Sequence, residues 1–268
     1  MKEVRFLGLG KGLYFMKRKF RGPAEIVTRI ATLAMLSALG FVLMAFLQFP
    51  YPFAPWLKIE VSEIVTVLAY ALYGLPGGII VAIIKTLLNL AVHGPVGLGI
   101  GDLTAFITSC MYILGLFITS RLKLFKKGVG YRFAAYAIIA VFVSVIMTVL
   151  NAIVITPSYL TVFGSDPHFT TCFNEGVIQD TAAYLTGNKE ATVNGWSYIG
   201  IISAIYLPFN LLKAALCLLG YEALFNQIVF LLMNRSPFFK KYFIGDILTK
   251  KEEEANPDIV VDEEQNKE

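Results

Sequence analysis

Charge is scarce in this chain. Only 16% of its 268 residues are Asp, Glu, Lys or Arg, against 56% that are hydrophobic, and the mean hydropathy is +0.66. Soluble domains run nearer a quarter charged and half apolar, so a water-soluble globular fold is excluded. Histidine and cysteine are scarcer still, with two and three copies. Cys110, Cys172 and Cys217 form no C-x-x-C pair, and two of them fall in apolar runs where a free thiol acts as a small hydrophobe; neither a disulfide nor a metal site is expected. His93 and His168 fall in loops, and there is no H-E-x-x-H, G-x-S-x-G, aspartate-rich diphosphate site or Walker motif. These absences exclude soluble-type phosphate chemistry and leave an intramembrane enzyme using Asp102 or Lys85 as the catalytic alternative to a non-enzyme. No internal repeat is visible, which argues against an inverted-repeat transporter working alone. The first 22 residues lack a long apolar core followed by a small-residue cleavage site, so no cleaved signal peptide is expected. A formal net charge of +4 does not imply nucleic acid, because the basic residues sit in short clusters between apolar runs.

Those apolar runs predict an all-α integral membrane protein of six transmembrane helices. Spans are expected at about 26–48, at 61–73, from the turn at 74–78 to about 92, and at about 102–120, 133–155 and 198–233, judged against the roughly 20 residues that cross a bilayer. The prolines of Phe49-Pro50-Tyr51-Pro52-Phe53-Ala54-Pro55 exclude a regular helix and predict an aromatic external loop. Gly74-Leu75-Pro76-Gly77-Gly78 predicts a tight turn that makes 61–92 a helical hairpin. Pro157 should stop the fifth span before a long external loop, 157–197. Six spans with both termini cytoplasmic is the count that puts the basic segments 1–29, 121–132 and 235–251 on one side. The chain then divides into a basic N-terminal segment 1–25, a membrane domain 26–235 and a cytoplasmic C-terminal segment 236–268 ending in an acidic, disordered tail.

Polar groups inside spans cost a few kcal/mol, roughly, on insertion scales and mark functional candidates. Asn210 and Lys213 are spaced i, i+3 on one helix face, just after Pro208. An amide and a cationic donor complement the carbonyls and ring nitrogens of a planar heterocycle; alternatively Asn210 bonds a neighbouring helix and Lys213 snorkels. Asn151 poses the same choice. Lys85 reads as structural, paired with Glu60 or Glu63 across the hairpin. Phe49, Tyr51, Phe53 and Trp56 could stack on a ring system or form an interfacial belt. Ala31, Ala34 and Ala38 line one face of the first span, either as a docking seam for another membrane subunit or as ordinary helix residues.

Taken in order, several segments resemble the riboflavin-binding S components of energy-coupling factor (ECF) transporters. They are Met35-Leu36-Ser37 and Phe41-Val42-Leu43-Met44 before Phe49-Pro50-Tyr51-Pro52, Leu57-Lys58-Ile59-Glu60 with Ser62-Glu63, Tyr73-Gly74 and Gly77-Gly78 before Ile84-Lys85, Leu150-Asn151 with Pro157 and Tyr159, and Leu207-Pro208-Phe209-Asn210 with Lys213. Where the family commonly has aspartates this chain has Glu60 and Glu63, and it has Thr86 where Asn is usual. The resemblance implies a bacterial, multi-pass cell-membrane protein that binds riboflavin from outside, as transported ligand and with no cofactor, with thiamine or folate as other cargoes of the same architecture. It implies that Asn151, Asn210 and Lys213 hydrogen-bond the flavin, with Glu60, Glu63 and Tyr159 completing the candidate set, and that the 49–60 loop covers it. It also implies that the Ala34-x-x-x-Ala38 face docks a transmembrane T subunit, which works with two ATP-binding-cassette ATPases.

Overall fold

The computed structural model describes residues 23–125, 129–162, 168–188 and 192–226. Most of the basic N-terminal segment, the lysines at 126 and 127, the 235–251 cluster and the acidic tail lie outside them. Among the described residues, five helical stretches are long and apolar enough to cross a bilayer.

Helix α1 is Pro23–Phe46. Its Leu36, Ser37 and Gly40 are buried, whereas Ala31, Ala34 and Ala38 are exposed beside Met35, which is 73% exposed. The proline-rich segment after it is not an irregular loop but a ribbon: β1 (Gln48–Tyr51) pairs antiparallel with β2 (Ala54–Glu60), Gln48 opposite Glu60 and Phe49 opposite Ile59. This corrects the all-α expectation. Prolines bar a helix, but both strands of a two-stranded ribbon are edges, where a missing N–H is tolerated.

Helix α2 runs Glu63–His93 with Gly74 at φ 66°, ψ −159°, a region open essentially to glycine alone. Lys85 Nζ lies 2.8 Å from Glu63 Oε1, although 22 residues of straight helix would separate them by roughly 33 Å. The segment therefore doubles back into arms 63–73 and 75–93, and the break predicted at 74–78 is present. Pro76 sits in the first turn of the second arm, where its N–H is not needed. At the apex a Cβ on Gly77 would collide with Tyr73 and stand 2.8 Å from the Ala69 carbonyl oxygen, and one on Gly78 would stand 3.0 Å from Ile113.

Helix α3 (Ile100–Arg121) leads to α4 (Val129–Leu150). Here a second expectation fails: Pro157 does not end the helix, which continues through a π-turn at Asn151–Ile155 into α5 (Thr156–Val162). Pro157 has no N–H to give the Ile153 carbonyl, and Cys172 N supplies that hydrogen bond from the following loop at 2.9 Å. The long connection is itself partly helical, with α6 (Glu175–Thr186) capped by Asn174 and α7 (Gly195–Gly220) capped by Asn194. A π-turn, Tyr221–Asn226, follows α7.

The core, among it Val65, Leu68, Leu116, Ile139 and Met147, lies between α2, α3, α4 and α7. At the Gly74 end, Arg132 pairs with Glu222 and Tyr136 Oη donates to Glu222 Oε2 at 2.8 Å, bracing α4 against the end of α7. At the ribbon end, α6 packs Ala182 against Tyr198, Ile202 and Tyr206. Gln179 closes this cap: its Nε2 donates to the Val193 carbonyl at 2.8 Å and its Oε1 accepts from Val193 N at 2.9 Å. Two neutral hydrogen bonds contribute about 1 to 3 kcal/mol together. Gln179→Ala should therefore speed amide exchange in α6 by about tenfold or more while leaving exchange in the core helices unchanged, as hydrogen–deuterium exchange would show.

Candidate ligand-binding site

The candidate residues gather where the foot of the ribbon meets α7. Tyr206, Asn210, Lys213 and Cys217 recur at helical spacing on one face of α7, which is turned into the bundle. Lys213 Nζ donates to Glu60 Oε1 at 2.8 Å, and Cys217 Sγ lies 3.7 Å from the Glu60 carbonyl oxygen. The second oxygen of Glu60 accepts from Ser62 N at 3.3 Å. Burial opposes the charge on Glu60; Lys213 and then Lys85, with hydrogen bonds from Lys213 and Ser62, outweigh it and hold the carboxyl down at about 2. A carboxylate depressed in this way stabilises the fold fully above its ordinary range near 4.5, and that contribution is lost as pH falls through about 2.

Ser62 joins this pair to a second one. Lys85 is fully buried and spends its three donors on Ser62 Oγ at 2.9 Å, Glu63 Oε1 at 2.8 Å and Thr66 Oγ1 at 3.0 Å. Ser109 Oγ of α3 also reaches Glu63 Oε1, at 2.8 Å. Lys85 is thus partnered across the hairpin by Glu63, whose other oxygen has no hydrogen-bond partner.

Asn151 opens the π-turn and is buried; its Nδ2 donates to the Met147 carbonyl at 2.7 Å and its Oδ1 accepts from Thr156 Oγ1 at 3.3 Å. The Thr156 hydroxyl also lies 2.9 Å from Tyr206 Oη, which links Asn151 to α7 one turn before Asn210. Asn210 is 7% exposed, and its Nδ2 has no hydrogen-bond partner. Tyr159 lies on α5 two turns beyond Asn151 and stays 38% exposed. Ala31, Ala34 and Ala38 belong to a separate, outward face of α1.

Aromatic packing covers this ground. Tyr51 of the ribbon meets Phe209 edge-on at 5.4 Å, and Trp56 meets Tyr184 of α6 at 5.8 Å. A cavity of about 250 Å³ opens between α5 and α6 beside Pro157, Thr161 and Asp180, and an apolar crevice of about 130 Å³ lies between α3 and the α4–α5 junction. Neither is bordered by Asn151, Asn210 or Lys213. The candidate site thus combines an unsatisfied amide donor, a paired lysine and apolar aromatic walls, the composition common to small-molecule sites.

Sequence reasoning missed Tyr206, Thr156, Ser62 and Ser109. Tyr206 was findable, four residues before Asn210 on the same face; the hydroxyls were not, since Ser and Thr in apolar helices commonly bond their own backbone, as Ser144 does here at 2.6 Å to the Ala140 carbonyl.

Comparison with known proteins agrees with this architecture. A family model described as "ECF transporter, substrate-specific component" matches residues 28–225. The riboflavin transporter FmnP of Bacillus subtilis (strain 168) is 28% identical over 206 residues, covering 75% of this chain and 92% of the relative. The riboflavin transporter RibU of Staphylococcus aureus (strain TCH60) is 31% identical over 201 residues, covering 75% and 89%. A solved S component of a bacterial ECF transporter superposes with a TM-score of 0.51 at 24% identity, covering 76% of this chain and 97% of that one, a likeness of fold. The chain belongs to the family of substrate-specific components of ECF transporters.

Proposed function

We propose that this substrate-binding membrane subunit takes up riboflavin from outside a bacterial cell and holds it at the ribbon end, between Asn151, Asn210 and Lys213. The observation that carries this reading is Asn210 Nδ2, a buried donor without a partner, set one turn from a charged donor and beside the Tyr51–Phe209 wall. A buried unsatisfied amide costs free energy that a ring carbonyl would recover. Two relatives that cover most of their own length on this chain are riboflavin transporters, which favours a flavin among planar ligands. Glu60 and Glu63 support the site by orienting their neighbours, and Tyr159 lies at its margin. Entry requires the ribbon to lift, because Tyr51 and Trp56 are packed down.

Six crossings with both termini cytoplasmic remain the proposed topology. The first arm of α2, residues 63–73, extends only about 16 Å, about half the hydrocarbon thickness of a typical bilayer. There is no ATP-binding motif, and transport draws on a T subunit and two ATPases, the former docked on the Ala31, Ala34 and Ala38 face. Uptake by cells expressing the chain should vanish when those ATPases are removed; persistence would reject this coupling.

Asn210→Ala tests the site. It should leave the thermal midpoint unchanged or slightly raised and weaken riboflavin binding by about 1 to 3 kcal/mol, the range for a lost buried partner. Unchanged affinity would remove Asn210 from the site.

A further inference from the structure

Four charges lie in one buried chain, Lys213–Glu60 and Lys85–Glu63, and Ser62 touches both pairs, through N–H to Glu60 and through Oγ to Lys85. Lys213 faces a conflict if, as proposed above, it donates to the ligand. Glu60 takes one of its three donors at 2.8 Å, and moving Nζ toward a ring carbonyl lengthens that contact; a buried carboxylate whose counter-charge recedes is strongly disfavoured. The groups facing Glu60 and its neighbours are Lys213 and Cys217 on α7, Glu63 and Lys85 on the two arms of α2, and Tyr112 and Cys110 on α3. Of these, Lys85 is the one other cation.

We propose that Lys85 is the reserve counter-charge of Glu60: a positioning residue that acts through Ser62 so that Lys213 can turn to the ligand without stranding the carboxylate. Three features suit it to that task. Lys85 is immobilised by three acceptors on the first turns of the opposite arm. Its stem is held against α1, where a Cβ on Gly40 would stand 3.3 Å from Lys85 Cδ. The four charges sum to zero, so the set remains neutral when Lys213 shifts. This inference rests on the proposed riboflavin site and deepens it.

The competing explanation is that Lys85–Glu63 only braces the hairpin. The variant Lys85→Met/Glu63→Gln separates the two, because replacing both members of a buried pair is commonly neutral for stability. If the pair is a brace alone, the folded double variant binds riboflavin with the wild-type pH profile. If Lys85 is the reserve charge, Glu60 must take up a proton when Lys213 leaves it. The bound form then holds more protons than the free form, so the Kd should rise with pH, approaching about tenfold per pH unit, whereas the wild-type Kd should stay flat between about pH 5 and 8. Fluorescence titration across that range reads the difference, and a flat profile in the double variant overturns the proposal. Should the double variant not fold, Ser62→Ala keeps all four charges and removes the bridging hydroxyl. A rise in Kd of about threefold or more supports the proposal, and an unchanged Kd overturns it. A wild-type protein that binds no riboflavin at any pH rejects the site itself, and this inference with it.

Discussion

Lys213→Met is expected to weaken riboflavin binding by about one to two orders of magnitude, the equivalent of one charge-assisted hydrogen bond at about 1.5 to 3 kcal/mol. The same change removes the partner that lies 2.8 Å from Glu60 Oε1. Breaking a buried pair from one side typically costs about 3 to 5 kcal/mol of stability, and the loss here should fall at or below the lower end, because Ser62 and Lys85 continue to support Glu60. The two effects can be separated. Lys213→Met/Glu60→Gln leaves no stranded charge, so the thermal midpoint should recover while the affinity does not. If affinity returns along with stability, Lys213 acts on the fold alone and makes no contact with the ligand.

Gly77→Ala should produce the largest purely structural effect. One methyl group there meets Tyr73 and comes within 2.8 Å of the Ala69 carbonyl oxygen, and backbone cannot give way as a side-chain tip can. Overpacking costs about 1 to 3 kcal/mol. If the arms part, Lys85 loses Glu63, and the stranded charges raise the cost towards about 3 to 5 kcal/mol. The expected outcome is a thermal midpoint in detergent that falls by several degrees, or loss of recoverable protein. Gly130→Ala is the control, with no atom within 4 Å of the added Cβ. Equal midpoints for the two variants would show that the apex is looser than described.

Much of the architecture was written in composition and punctuation. Apolar length located the helices, and the Gly74–Gly78 cluster located the reversal of α2 because no residue but glycine reaches φ 66°, ψ −159° readily. Lys85 could be paired across that reversal before any coordinates, since an ammonium group in an apolar run must find a carboxylate. Two features were not legible, and both concern proline. Pro50 and Pro55 excluded helix, but the ribbon depends on register between β1 and β2, which local sequence does not encode. Pro157 looked like a stop because the donor that replaces its missing N–H, Cys172, is fifteen residues away along the chain. The candidate site divides in the same way. Asn210 and Lys213 share a face by spacing alone. That Lys213 is engaged by Glu60, that Asn151 reaches α7 through Thr156 and Tyr206, and that α6 adds Tyr184 over Trp56 are long-range contacts, which require the folded chain.

The most direct test is to titrate riboflavin into the purified chain in lipid nanodiscs, without T subunit or ATPases, following flavin fluorescence and identifying any co-purified ligand by mass spectrometry. Saturable quenching at one riboflavin per chain, weakened in Asn210→Ala and Lys213→Met, is the predicted result. Folded protein that stays colourless and leaves riboflavin fluorescence unquenched at every concentration would contradict it.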